Sequence, residues 1–145
     1  AGMVDAAKVA AQLVSLKDTY ETVEGADDLA VEYASTDLAL CAFGVTAYEL
    51  AAFGVPAIYL GLSEDHARSA SAFEAAGMGQ SLGVASQVRD EDILSAVKAL
   101  MSDPLRRREM RNAGFSTLDG NGAARIAADL AAALKEEKSP ARAAR

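Results

Sequence analysis

The residues from Gly44 to Glu49 carry the clearest candidate for chemistry in this sequence. Gly44 follows a short apolar run, and Val45 and Thr46 lead into a helical stretch, so a glycine turn between a strand and a helix is predicted. Backbone N–H groups at such a turn, together with the helix dipole, suit a pyrophosphate. Glu49 could accept two hydrogen bonds from a ribose diol. The interpretation without a ligand is a capping box, in which Thr46 caps the helix and Glu49 reaches back to it, and the two roles can coexist.

A polar triplet after the next apolar run, Glu64, Asp65 and His66, is the second candidate. Asp65 also fits a plain helix N-cap. His66 is the only histidine, and one histidine with neighbouring acids makes a poor zinc site, so no metal is predicted. The sequence has no Gly-x-Ser-x-Gly elbow and no Gly-x-x-x-x-Gly-Lys-Ser/Thr loop. A Ser-His-Asp hydrolase with that elbow and a P-loop NTPase are therefore excluded by motif. No cofactor is predicted.

Two apolar runs position these candidates. The run over 37–42 and the run over 57–60 are joined by a helix that Gly54 and Pro56 are expected to end. A strand, a helix and a second strand in so few residues indicate a βαβ unit of a parallel sheet. Neither run alternates with polar residues, so both strands are expected to be covered on both faces. Ligands of such sheets gather where strands end and helices begin, which is where both candidates lie.

The remaining segments extend the α/β pattern. Helices are predicted over 5–16, 26–35 and 65–76, strands over 19–24 and 80–83, and three closing helices from Asp90, Pro104 and Ala123. Gly114 is expected to end the second of these helices. In the last, Ile126, Leu130 and Leu134 are expected to face inward. The predicted fold class is α/β, a Rossmann-like parallel sheet of about four strands flanked by Ala-rich helices, with one domain over 1–136 and a disordered tail over 137–145.

Charge and composition exclude several classes of partner. The chain has 145 residues and a net charge of −7, so no nucleic acid is predicted as a partner, because phosphate backbones need a basic face. The run Arg106, Arg107, Arg108 and Arg111 fits a phosphate site, but a solvated helix face is the expected interpretation. The single cysteine, Cys41, excludes an internal disulfide and is expected to be a core residue. No apolar run is long enough for a membrane span, and a cytoplasmic location is predicted.

Two segments carry a family resemblance. The stretch from Asp37 to Pro56, DLALCAFGVTAYELAAFGVP, with the following Ser-Glu-Asp-His, resembles the C-terminal half of GT-B nucleotide-sugar enzymes such as the MurG-like UDP-N-acetylglucosamine transferases. It is more similar to the PseG/SpsG group of UDP-sugar hydrolases, which act in nonulosonic acid biosynthesis. The segment Asp119-Gly-Asn-Gly-Ala-Ala-Arg125 resembles that group's closing motif. The resemblance extends from about Glu24 to Leu134.

The resemblance implies a UDP-sugar or another nucleotide-sugar as ligand. The glycine turn would lie against the diphosphate, the carboxylate after it would hold the ribose, and the polar triplet would line the phosphate and sugar side. The closing motif would shape the return to the family's other domain. That domain supplies the hydrolase group's catalytic histidine and is not in this chain, so the catalytic residues stay unknown. The expected ligand-binding residues are Gly44, Val45, Thr46, Glu49, Glu64, Asp65 and His66.

The sequence departs from the family at Phe43, Val45 and Asp65, which leaves alternatives open. Phe43 is expected to narrow the backbone approach to a phosphate. One alternative is therefore a degenerate, non-catalytic GT-B-like module that acts as a partner or scaffold. Another is a plain α/β domain in which Thr46 and Glu49 are only caps. Because the first strands of the family's domain are not seen in this chain, it is expected to be an incomplete GT-B C-terminal domain. Its open sheet edge would be covered by a second copy in a homodimer, or the sheet would rearrange.

Overall fold

The computed structural model describes residues 28–137, together with Val23 and Ala26. This part of the chain has the predicted α/β fold, in which a parallel sheet is flanked by helices. The elements in chain order are α1 (Ala30–Ser35), β1 (Ala39–Ala42), α2 (Val45–Ala52), β2 (Ala57–Gly61), α3 (Glu64–Ala75), β3 (Gln80–Val84), a 3-10 turn (Ala85–Gln87), α4 (Asp90–Ser102), α5 (Pro104–Thr117) and α6 (Gly122–Glu137).

The described strands form one parallel sheet in the order β1-β2-β3. Cys41 of β1 lies opposite Tyr59 of β2, which in turn lies opposite Ser81 of β3. Three strands are therefore seen where about four were predicted. The fourth, over 19–24, lies outside the described residues apart from Val23, and the helix predicted over 5–16 lies outside them altogether.

The central strand β2 is buried on both faces of the sheet, as its unbroken apolar sequence predicts. On one face the rings of Phe43, Tyr59 and Phe73 meet edge to face, with centroids 5.0 to 5.9 Å apart. The Tyr59 hydroxyl is also satisfied, since it donates a hydrogen bond to the carbonyl of Met78 at 3.3 Å. On the other face Ile58 packs with Leu100 of α4 and with α5.

The outer strand β1 is less covered than the sequence predicts. Its burial alternates, and the Leu40 side chain is 48% exposed. Cys41 is half-buried and packs against the aromatic face, and burial raises the pKa of its thiol. The expectation that both faces of β1 are covered is wrong within the described residues, because the helices α4 and α5 cover Ile58 but leave Leu40 open.

Helix α2 ends where the sequence predicts. Phe53 is its C-cap, and Gly54 follows with a φ of +66°, a left-handed conformation that favours glycine. Val55 and Pro56 then enter β2 as buried residues. This helix end sets where β2 begins, and so where it ends at the candidate site.

Helix α5 does not end at Gly114 as predicted but runs on to Thr117. A Cβ atom at Gly114 would lie 2.3 Å from the carbonyl oxygen of Ala51, so glycine is required there by the close packing of α5 against α2. The start of α5 is as predicted, since Pro104 occupies its first turn and the Asp103 side chain accepts a hydrogen bond from the Arg106 N–H. Helix α1 begins at Ala30, four residues later than predicted.

The closing helix α6 begins at Gly122, one residue before the predicted start, but it does not have the predicted packing. Ile126, Leu130 and Leu134 are 64%, 61% and 57% exposed, so the expectation that they face inward is wrong for the part of the chain that the structure describes. Their spacing places them on one helix face but does not say what covers it. None of the described helices is both long and apolar enough to cross a membrane.

The close contact between α5 and α2 predicts that a Gly→Ala change is costly inside the contact and not outside it. Gly114→Ala should lower the free energy of unfolding by about 2 kcal/mol, because the new methyl group overlaps Ala51. Gly122→Ala at the start of α6 meets nothing within 4 Å and should change the free energy of unfolding by less than about 0.5 kcal/mol. Urea unfolding of both variants checks this. Equal stability of the two variants would contradict the packing.

Candidate functional site

The turn between β1 and α2 is built on Gly44. Gly44 is the N-cap of α2, with an extended backbone, and no side chain caps the helix. The predicted capping box is therefore wrong, because the helix already begins at Val45, which places Thr46 inside it and Glu49 beyond its first turn.

Open space lies beside the α-carbon of Gly44 at the start of α2. A Cβ atom built on Gly44 would meet nothing within 4 Å. The first N–H groups of a helix, here those of Val45 and Thr46, have no helical carbonyl to bond, and they carry the positive end of the helix dipole. The turn can therefore donate hydrogen bonds to an anion.

Phe43 does not obstruct this turn. Its side chain is 5% exposed and packs against Tyr59 and Phe73, while its N–H donates to the carbonyl of Leu60 at 2.8 Å. The expectation that Phe43 narrows the approach to a phosphate is wrong, because its ring belongs to the core. Val45, in contrast, is 76% exposed.

Glu49 points to helix α1. Its carboxylate accepts a hydrogen bond from the Tyr33 hydroxyl at 3.1 Å, and both residues line a cavity of about 240 Å³ that also contains Asp28 and Phe53. Partial burial and, secondly, the bond to Glu49 raise the pKa of Tyr33. Sequence reasoning missed Tyr33, because no periodicity links two residues 16 positions apart.

The polar triplet forms the exposed first turn of α3. Ser63 is the N-cap and its hydroxyl accepts from the His66 N–H at 3.3 Å, so the expectation that Asp65 caps this helix is wrong. Asp65 instead accepts from Arg68 at 3.2 Å, in a pair whose side chains are 85% and 80% exposed. The Glu64 carboxylate accepts from the Gln87 amide at 3.4 Å. Ser63 had a visible signal, a serine directly before a helical run.

The glycine turn and the polar triplet lie at the same edge of the sheet. β1 and β2 are parallel neighbours, and Ala42 lies opposite Leu60 where the two strands end. Gly61 lets α3 approach this edge, since a Cβ there would lie 2.6 Å from the Ala67 nitrogen. Glu49 and Glu64 make separate contacts, with Tyr33 and with Gln87, so each is held independently.

The closing motif forms an ion pair at the start of α6. Arg125 donates to both carboxylate oxygens of Asp119, at 2.9 and 2.6 Å, and the Asn121 N–H donates to one of them at 3.0 Å. The bond from Arg125 and, secondly, that from Asn121 lower the pKa of Asp119 from 3.8 to about 2. Together with Tyr48 of α2, the pair lines a cavity of about 290 Å³.

The described part of the chain contains no cluster of side chains suited to bind a metal ion. No group of three or more His, Cys, Asp or Glu side chains there could hold a metal ion. The carboxylates of Glu49, Glu64 and Asp65 contact neighbouring polar side chains instead. These groups can offer a ligand hydrogen bonds and charge.

Comparison with known proteins supports the family resemblance. No family model matches the chain. It is 28% identical over 124 residues, 86% of its length, to the spore coat polysaccharide biosynthesis protein SpsG of Bacillus subtilis (strain 168), of which the match covers 37%. It is 30% identical over 132 residues, 87% of its length, to a UDP-N-acetylglucosamine–N-acetylmuramyl-(pentapeptide) pyrophosphoryl-undecaprenol N-acetylglucosamine transferase of Corynebacterium glutamicum (strain R), of which it covers 36%.

The chain thus spans a little over a third of the length of the curated relatives it matches. Both relatives come from the groups that the sequence motifs indicate, SpsG and the MurG-like transferases, so the predicted resemblance is confirmed. The extent of the match is consistent with a C-terminal GT-B-like domain.

The ion pair of the closing motif predicts a specific titration. Asp119 should titrate near pH 2, and its contribution to stability should be present above about pH 4 and lost as the pH falls through 2, because its folded pKa is depressed. Arg125→Gln should return the pKa towards 3.8, whereas Arg68→Gln should leave it unchanged. Carboxyl-detected NMR measures it, and an Asp119 that titrates near 3.8 in the unaltered protein would contradict the pair.

Proposed function

From its kinship with these GT-B-type enzymes, we propose that the chain is the nucleotide-sugar-binding half of an SpsG-like UDP-sugar hydrolase or a related glycosyltransferase. The observation that carries the proposal is the turn at Gly44, where a Cβ atom would meet nothing within 4 Å and where no side chain caps the start of α2. A diphosphate at a helix N-terminus of this kind is held by backbone hydrogen bonds and by the helix dipole. Gly44, Val45 and Thr46 are the residues that would contact it.

Glu49 would bind the ribose. Tyr33 occupies one of its carboxylate oxygens, at 3.1 Å, and so orients the carboxylate. An ionised carboxylate has about four acceptor positions, which leaves enough for a diol. Hydrogen bonds to a charged group are each worth about 1.5–3 kcal/mol, so this contact would make a large contribution to binding of the nucleoside.

The triplet Glu64, Asp65 and His66 would line the phosphate and sugar side. Two carboxylates near a diphosphate repel it, but Arg68 compensates Asp65 and sits one turn along the same helix. Exposed pairs of this kind are weak, about 0–1 kcal/mol, so Arg68 can exchange its partner for a ligand phosphate at low cost.

In this proposal the chain supplies binding and orientation rather than the acid or base. One relative is named for spore coat polysaccharide biosynthesis and another for transfer of N-acetylglucosamine from UDP-N-acetylglucosamine. The proposed ligand is a UDP-sugar, and the proposed setting is surface polysaccharide or nonulosonic acid biosynthesis in the cytoplasm. The domain over 1–136 would be the binding unit.

A second candidate is a non-catalytic GT-B-like module that acts as a partner or scaffold. The observation that favours it is Val45, which at 76% exposure presents an apolar side chain where the family resemblance implies a hydroxyl. This candidate predicts no UDP binding, so a UDP titration separates the two.

A second copy of the chain is the proposed cover for the outer edge of β1. Among the described strands β1 pairs on one side only, so its other side could pair with a further strand. Leu40, which is 48% exposed on the same sheet face as Ile58, would flank that contact. Light scattering should give the mass of a dimer, and Leu40→Lys should shift it to the monomer. A monomer at every concentration contradicts this partner.

Titration calorimetry with UDP tests the binding site. Glu49→Ala should weaken UDP binding about tenfold or more, because it removes the acceptor for the ribose hydroxyls. Tyr33→Phe should weaken it about two- to threefold, since Glu49 is then less well oriented.

The matched control is Glu74→Ala, which removes another exposed carboxylate, on helix α3, where it lines a different cavity. It should leave the affinity for UDP unchanged. Undetectable binding to the unaltered protein, or an equal loss in the control, contradicts the proposed function.

A further inference from the structure

A cavity at the amino ends of the strands carries an excess of positive charge. It has a volume of about 260 Å³ and lies where β1 and β2 begin, whereas the nucleotide-sugar site lies where they end. It is therefore separate from the proposed nucleotide-sugar site. The cavity is lined by Asp37, Pro56, Pro104, Arg107, Arg108 and Arg111.

Two of these arginines are held in place by contacts with the fold. Arg107 donates to the carbonyls of Leu100 and Met101 at the end of α4, which fixes its guanidinium at the cavity wall. The stem of Arg111 packs over Gly54, where a Cβ atom would lie 2.9 Å from its Cγ. Arg108 is exposed at the rim. A ligand would thus meet groups that lose little freedom on binding.

Helix α5 separates its charges between two faces. Arg106 and Glu109 line another cavity with Glu74. On that face the positive charge of Arg106 is therefore balanced by carboxylates. On the face that lines the cavity at the strand starts, three arginines meet one carboxylate, Asp37, and none of the ion pairs among the described residues involves Arg108 or Arg111. Like charges one helical turn apart repel each other, so an anion between them relieves an unfavourable interaction.

We propose that this cavity is a second anion site, which binds a phosphate dianion. Planar guanidinium groups donate two parallel hydrogen bonds to phosphate oxygens, and they do so better than ammonium groups. At about 260 Å³ the cavity suits inorganic phosphate or the phosphate group of a small monoester. The shared chemistry is the dianion, whichever molecule carries it.

The test is titration of the full chain with inorganic phosphate and with glucose 1-phosphate at constant ionic strength, because exposed charges are screened by salt. Saturable binding of either ligand is expected. Arg108→Gln and Arg111→Gln should each weaken it about tenfold, since each removes a charged hydrogen-bond partner. Asp37→Asn should strengthen binding a few fold, because Asp37 is the only carboxylate among the described residues that line the cavity.

Arg106→Gln is the matched control, the same change on the same helix but in the other cavity. It should alter phosphate affinity by less than about twofold. No binding of either ligand, or an equal loss in all three arginine variants, overturns the proposal. Glu49→Ala should leave phosphate binding intact, so failure of the nucleotide-sugar site and failure of this site are distinguishable.

Discussion

Burial of the central strand β2 on both faces is the constraint on which the rest of the structure depends. Tyr59 and Ile58 point to opposite faces and are both fully buried, and each contributes about 1.5–3 kcal/mol through the area it removes from water. Tyr59 organises the aromatic face under α2 and α3, while Ile58 anchors α4 and α5. Because β2 also pairs with both other described strands, its position decides where β1 ends and where α3 begins.

The candidate site follows from that arrangement. Parallel neighbours bring the start of α2 and the start of α3 to one edge, so a turn that can hold a phosphate and a polar triplet share a rim. The side chain of Phe43 lies in the core and leaves this edge open. Glu49 faces α1, where Tyr33 sets its orientation. Packing of the core thus fixes where α2 and α3 begin at this edge. The polar side chains there make only a few, solvent-exposed contacts, which a ligand can replace.

The sequence predicted the features that depend on neighbouring residues. An unbroken apolar run indicated β2, Gly54 marked the end of α2, and Asp103 with Pro104 marked the start of α5. These signals are local, because a left-handed turn or a helix cap is decided within a few residues. The same holds for the motifs at Gly44 and Asp119, which indicated the groups to which both relatives belong.

The errors concern choices that local sequence leaves open. Gly114 resembled a helix end, but it is a point of close approach to Ala51, which lies on another helix. Ser63 rather than Asp65 caps α3, since adjacent polar residues compete for one position and the backbone geometry decides. The pairing of Tyr33 with Glu49, and the exposure of Ile126, depend on which helices are neighbours. Which helices are neighbours is decided by tertiary packing, and local sequence patterns do not specify it.

The most direct test of the nucleotide-sugar site is a map of backbone amide NMR shifts on addition of UDP. We expect the amides of Val45 and Thr46 to shift most, because their N–H groups would donate to the diphosphate, and the amides around Arg108 to stay where they are. Shifts absent from the Gly44 turn, or confined to another part of the chain, would contradict the proposed site.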